Sequence, residues 1–275
     1  MMVAYLITKE VTNKLTWKFL CAVGILASLP LIYFFIVHRS YEFSTSYDIF
    51  TFLLRGILEL TFPILVALIY LGSFSLEIDD RFLFYTRSRI SIKNYLTLKF
   101  SANLFLCFSI FFLFTFSMFL LSFYVLPHYQ YIQAGFADAE TSFFALNNLT
   151  AESYTLSHST FTQLFAYGPL AYGLFYSTWV GMNAALYASI GFLLLLVLNN
   201  RFLALALPYI FYLVGSFMLG AIGLRIFEFH YSIFPFGFVQ QPFWVPFVPF
   251  AFLVFICLLL FLYIKKNAER LDNLL

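Results

Sequence analysis

An all-α polytopic membrane protein is the fold class this sequence predicts, and three features predict it. Of 275 residues, 63% are hydrophobic and only 10% are charged, whereas a soluble domain carries roughly 25% charged residues. The mean hydropathy is +0.90. Several apolar runs exceed the about 20 residues that a helix needs to cross a bilayer, and charge collects in the stretches between them. No room is left for a sizeable soluble domain, so residues 1–275 read as one transmembrane domain with six spans.

The elements follow in chain order. In residues 1–18, Val3, Ile7, Val11 and Leu15 recur every four positions, with Lys9, Thr12 and Thr16 on another face. That spacing predicts an interfacial amphipathic helix. Lys14 and Lys18 drift onto the apolar face, where their long stems can snorkel. The first span, 19–37, begins only after Lys18 and lacks a small-residue cleavage site, so it reads as a retained span rather than a signal peptide. The second span, 50–74, contains Pro63, expected as a kink. The third span, 100–126, carries no charged residue. The fourth and fifth, 172–198 and 202–224, are separated by the turn Asn199-Asn200-Arg201. The last, 247–264, ends before the tail Lys265 to Arg270.

The charges orient this array. Six spans put both termini on one side. With that side cytoplasmic, Lys9, Lys14, Lys18, Arg81, Arg87, Arg89, Lys93, Lys99, Arg201, Lys265, Lys266 and Arg270 face inwards. Only Arg39, Arg55 and Arg225 face outwards, which accounts for all 15 bases. Lys and Arg resist translocation, so the opposite orientation inverts the rule at every loop.

Three connections are more than spacers. The loop 77–99 opens with the acids Glu77, Asp79 and Asp80, continues through Phe82-Leu83-Phe84, and closes with Arg87, Arg89, Lys93 and Lys99. It reads either as a short helix at the cytoplasmic membrane surface on which a partner pushes, or as a solvated loop that fixes topology. The outside segment 127–171 has Asp138, Glu140 and Glu152 and no Lys or Arg. It is too long for a simple connection and reads as a cap or docking surface, or as an ordered loop without specific contacts. In 225–246, Pro235, Pro242 and Pro246, with Pro249 just beyond, forbid one straight helix. Broken backbone at membrane depth needs protein or a water-filled cavity around it. The segment is expected to dip in from outside as short re-entrant helices, the alternative being an aromatic interfacial loop anchored by Trp244.

Motifs for chemistry are sparse. The chain has no G-x-x-x-x-G-K-[ST] phosphate loop, no H-E-x-x-H and no G-x-S-x-G, and its four histidines are far apart in sequence. No catalytic or metal-binding constellation emerges. Cys21, Cys107 and Cys257 lie inside apolar runs and are expected as buried thiols. The one intramembrane polar pair is Arg55 with Glu59, four residues apart and hence on one helical face. An ionisable residue at that depth is a candidate for a translocation path; the alternative is a mutually neutralising structural pair near the outer leaflet.

The six spans, the amphipathic lead-in, the acidic-then-basic first cytoplasmic loop and the broken segment before the last span together resemble the type-2 ABC exporter permeases, whose architecture is the type V fold. In that family the first cytoplasmic loop carries acids, an apolar helix, a Pro-x-Ser-Arg-like turn and a downstream Lys. Here Glu77, Asp79 and Asp80 match the acids, Phe82-Leu83-Phe84 the helix, Ser88-Arg89 the turn and Lys99 the base. Thr86 stands where Pro is usual, the customary Gly after the acids is absent, and 127–171 is longer than typical.

The resemblance implies a transport subunit rather than an enzyme, in the plasma membrane of a bacterium, exporting a peptide, antibiotic, lipid or glycan. It implies a second permease copy or a related permease alongside, within membrane lipid, and no nucleic acid. Two cytoplasmic ATPase subunits would hold ATP and Mg; no cofactor belongs to this chain. Glu77, Asp79, Asp80, Arg81, Phe82, Phe84, Arg87 and Arg89 would couple to the ATPase. Two other classes stay open: a membrane-embedded enzyme acting on lipid or peptide, which needs convergent polar residues in the spans, and a non-transporting sensor or immunity subunit with 127–171 as its receptor surface.

Overall fold

The computed structural model describes residues 8–12, 14–38, 43, 45–79, 92–129 and 156–266. Asp80, Arg81, Phe82, Phe84, Arg87 and Arg89 of the expected coupling loop therefore lie outside the described residues, and of Asp79 only the backbone is described. The same holds for 130–155 of the long connection.

The described chain is helical, with an isolated antiparallel bridge between Ser159 and Phe236. Among the described residues, five helices are long and apolar enough to cross a membrane, or six if one bent pair counts as a single span. They are α1 (Trp17–Val37), the bent pair α2 (Ser46–Leu54) and α3 (Ile57–Ile69), α5 (Ile92–Leu120), α6 (Pro169–Val197), α7 (Arg201–Ala221) and α9 (Phe247–Lys266). Two shorter helices complete the path, α4 (Leu71–Asp79) after the bent pair and α8 (Phe229–Ile233) before α9.

Helix α6 is the axis of the bundle. In its most apolar stretch 83% is buried, against 6% in α1 and 11% in α9. Small residues allow this: a Cβ at Gly173 would lie 2.4 Å from the Phe119 ring, and one at Gly181 would lie 3.0 Å from Phe108, both on α5. Close approach through small residues is how helices pack where lipid supplies no hydrophobic drive. Asn103 of α5 donates to the Ala188 carbonyl of α6 at 3.0 Å and completes that contact. Helix α1 makes little contact with the rest, and Cys21 on it is exposed. The expectation that all three thiols are buried fails there because no described helix covers that face; Cys107, on α5, is buried and Cys257, on α9, is half-buried.

The second span bends at a different residue from the one expected. Pro63 sits inside an unbroken α3, whereas the 50° bend falls between α2 and α3. There Arg55 is extended and Gly56 has φ +83°, which a side chain would resist. Pro63 is harmless because its missing N–H frees only the carbonyl of Glu59, four residues back. The Tyr212 hydroxyl of α7 donates to that carbonyl at 2.6 Å.

The stretch before α9 is broken as its prolines require, and neighbours satisfy its backbone. Trp179 Nε1 donates to the Ser232 carbonyl at 2.7 Å, Tyr176 Oη to the Ile233 carbonyl at 3.0 Å, and Ser232 Oγ to the Pro246 carbonyl at 2.7 Å. From above, the His158 and Ser157 carbonyls accept from the N–H groups of Gly237 and Gln240, and the Thr160 N–H donates to the Pro235 carbonyl. The described end of the long connection thus caps the broken segment. The bundle has a cap end, here, and a loop end, where α4 and α5 flank residues 80–91.

Candidate functional site

Polar groups gather at both ends of the bundle. At the loop end they form a chain of ion pairs, Lys14–Glu77–Lys99–Glu10, whose two ends meet through Tyr70. Glu77 on α4 pairs with Lys14 at 2.8 Å and with Lys99 on α5 at 2.7 Å; Lys99 also pairs with Glu10 at 2.5 Å. Tyr95 donates to Glu77 at 3.0 Å, Tyr70 to Glu10 at 3.3 Å, and Lys14 to Ser73 Oγ at 2.9 Å. The ammonium groups of Lys14 and Lys99 also lie over the rings of Tyr70 and Tyr95, 5.5 and 5.4 Å from their centroids. Lys99 is 5% exposed. Burial opposes ionisation of Glu77, but the hydrogen-bonded ammonium groups of Lys14 and Lys99 outweigh it and hold its carboxyl below the ordinary glutamate value.

The N-terminal segment is helical over 8–12, and Val11 is buried. The periodic face read from the sequence stops short of Leu15, which is exposed outside any helix, and Thr16 instead caps α1 by accepting from the Phe19 N–H at 3.3 Å. Lys14, which spoils the apolar face as a pattern, is the residue that reaches Glu77. Both residues that flank the expected coupling loop, Glu77 and Lys99, are therefore fastened to each other and to the N-terminal segment.

At the cap end the arrangement is open. Glu59, in the first turn of α3, lies 3.8 Å from His230 Nε2, and Glu228 lies 3.3 Å from the same nitrogen. The reading of Arg55 and Glu59 as one helical face is corrected here: the chain leaves the helix at Arg55, so no continuous helix joins them. The Arg55 guanidinium lies against Gly237, where a Cβ would come within 2.7 Å of it, and its charge still acts on Glu59 and His230. Glu59, Glu228, His230, Arg225, Tyr212 and Ser216 line a cavity of about 980 Å³ between α3 and α7, with apolar walls that include Leu60 and Phe217.

Local sequence explains how this second cluster is held. Glycines on α7 let the broken segment approach: a Cβ at Gly220 would lie 2.5 Å from Glu228 Oε1, and one at Gly215 would lie 2.6 Å from the Phe229 ring. Ser216 between them accepts from the His230 N–H at 3.3 Å. Of this cluster only Glu59 and its neighbour Arg55 stand out in the sequence. His230, Glu228 and Arg225 are some 170 residues further on, and only the proline-broken backbone signalled that their segment returns to the bundle.

Comparison with known proteins finds no matching family model, no matching curated protein and no matching solved structure.

Proposed function

We propose that this chain is the transmembrane permease subunit of an ATP-binding cassette exporter with the six-span type-2 fold. It moves a peptide, antibiotic, lipid or glycan outwards, using ATP and Mg bound by two separate cytoplasmic ATPase subunits and working beside a second permease. The loop end faces the cytoplasm, a side that the excess of Lys and Arg there supports, and the cell is bacterial, as in the exporters the chain resembles.

The observation that supports this reading most is the ring at the loop end. Glu77 and Lys99 stand at the two ends of the loop on which an ATPase would push, and both belong to one partly buried network with Glu10 and Lys14. A loop rooted in that way transmits force to α4 and α5 together, because buried ion pairs resist being separated. Apolar residues at 82–84 would fill a groove on the ATPase while Arg87 and Arg89 set register.

The test is co-expression with candidate cytoplasmic ATPase subunits from the same organism. The wild-type chain is expected to co-purify with it and to raise its ATP turnover, and the paired variant Arg87→Glu, Arg89→Glu to lose both. An intact complex with unchanged turnover in the charge-reversed pair would sink the assignment. A membrane-embedded enzyme is the second reading, favoured by the convergence of Glu59, His230 and Glu228; it requires turnover of a lipid or peptide by the purified chain without any nucleotide.

A further inference from the structure

The cap-end cavity does not stand alone. A second, apolar groove of about 470 Å³ runs between α1 and α3, with Leu26, Ala27 and Pro30 on one side, Ile64 and Leu65 on the other and Phe111 of α5 beneath. The charged residue on its wall is Arg55, and the Thr61 hydroxyl turns back to donate to the Ile57 carbonyl at 2.6 Å. The two spaces meet at the bend of the second span, where Gly56 and Ile57 line both. Gly56 puts no side chain there, and even a Cβ on it would find nothing within 4 Å. On the α7 side of the bend the polar cavity is balanced. The charge of Arg55 acts on Glu59 and that of Arg225 on Glu228, so two carboxylates are matched by two guanidinium groups. Burial and the Arg55 charge push the His230 imidazole down to about 4, so it adds no charge near neutrality. On the other side the groove follows α3 from Ile57 to Ile69. That is about 18 Å at 1.5 Å per residue, slightly more than half of a hydrocarbon core of about 30 Å, and hence the reach of one leaflet's acyl chain.

We infer that one lipid occupies both spaces: an acyl chain in the groove between α1 and α3 and, across the bend at Gly56, a zwitterionic head in the polar cavity. The order of the two spaces along the bundle, polar at the cap end and apolar towards the loop end, is the order of head and chain in the outer leaflet. A zwitterionic head offers one charge of each sign to a site that holds both. A head with a net charge sets one like charge against it without a partner, which is costly beside walls such as Leu60, Leu213 and Phe217. The inference rests on the export reading, in which the occupant is cargo, and selects lipid from the four cargo classes. Export itself is not needed for binding, so the site is testable on the chain alone.

Two probes with the same diazirine-bearing acyl chain are compared, one with a phosphatidylethanolamine head and one with a phosphatidylglycerol head. Each is added in trace to nanodiscs that hold the full chain in equal parts of the two unlabelled lipids, and crosslinks are mapped by mass spectrometry. Phe255, Leu258 and Leu259, exposed on α9, report the bulk bilayer. Relative to them, the zwitterionic probe is expected to label Ala27 and Ile64 about fivefold more than the anionic probe, the size of one net polar contact. Ile64→Trp fills the groove and lies outside the polar cavity, and is expected to bring both probes down to the α9 level. Glu59→Gln leaves the cavity with a net positive charge and is expected to reverse the preference, whereas Arg225→Gln is expected to sharpen it. Equal groove labelling by the two probes, groove labelling no higher than on α9 (as when a second copy of the chain covers it), or a preference unmoved by both charge variants overturns the site. A chain that shows the preference yet neither joins nor stimulates an ATPase loses the export reading and keeps the site; the reverse result loses only the site.

Discussion

The two polar clusters both set glutamates against basic side chains, lysines at one end and histidine with arginine at the other, and differ in how they are closed. At the loop end, Glu10, Lys14, Glu77 and Lys99 alternate in sign, and each charge has an opposite neighbour within 2.8 Å. At the cap end, Glu59 and Glu228 converge on one imidazole, at 3.8 and 3.3 Å, and the space beside them is a cavity. A closed ring spends its electrostatics on holding elements together. An open one leaves its charged side chains bordering a space that a molecule can enter. The difference teaches that charge inside a membrane bundle is not by itself a sign of binding or transport: its state of completion decides which role it can take.

The largest expected effect breaks the closed ring. Lys99→Met leaves Glu10 and Glu77 without their shared cation in a buried setting, and is expected to cost about 3–5 kcal/mol, read as thermal or denaturant unfolding of the purified chain. Glu59→Gln at the open cluster is expected to cost less than about 1 kcal/mol, because it removes no close ion pair. Similar losses in the two variants would erase the distinction.

A smaller effect tests the tie between α3 and α7 that forms one side of the cavity. Tyr212→Phe leaves the Glu59 carbonyl without a donor and is expected to cost about 1 kcal/mol. Pro63→Ala restores a backbone N–H to that carbonyl, so Tyr212→Phe is expected to cost less than half as much in its presence. A double-mutant cycle measures the coupling, and strict additivity would show that the tyrosine does not stand in for the missing N–H.

The smallest effect is a pH dependence. The folded chain holds the Glu77 carboxyl below its ordinary value of 4.5, so the unfolded chain binds the proton more tightly. The stability this supplies is complete above the ordinary value and is lost as pH falls through the folded one. Melting temperature measured from pH 6 down to pH 3 is expected to fall more steeply for wild type than for Glu77→Gln. Parallel curves would mean that the Lys14 and Lys99 contacts do not set its ionisation.

How much of this was legible in the sequence depended on the range of the interactions. Glu77 and Lys99 stood out because charges between apolar runs are rare in this chain. Glu10, 89 residues from the lysine it pairs with, gave no signal beyond being an acid in an amphipathic stretch. Arg55 and Glu59 were conspicuous, but the spacing rule assumes an unbroken helix, and Arg55-Gly56 breaks it. A glycine beside the suspected pair was the available hint. Pro63 was given the bend because proline removes a hydrogen bond; a tyrosine 149 positions later in the sequence replaces that bond, and no local pattern could announce it. The broken segment before α9 was readable from its prolines, whereas the residues that satisfy it, Tyr176, Trp179 and Ser216, belong to two other helices.

The sequence by itself determined the class: apolar runs of bilayer length can bury their backbone polarity only as helices, and proline and glycine punctuate where those helices stop. Tertiary structure alone decided which charges meet, because ion pairing across a bundle depends on how helices that are distant in sequence are set against one another. It made one cluster of carboxylates and bases a fastening and left the other facing an open cavity.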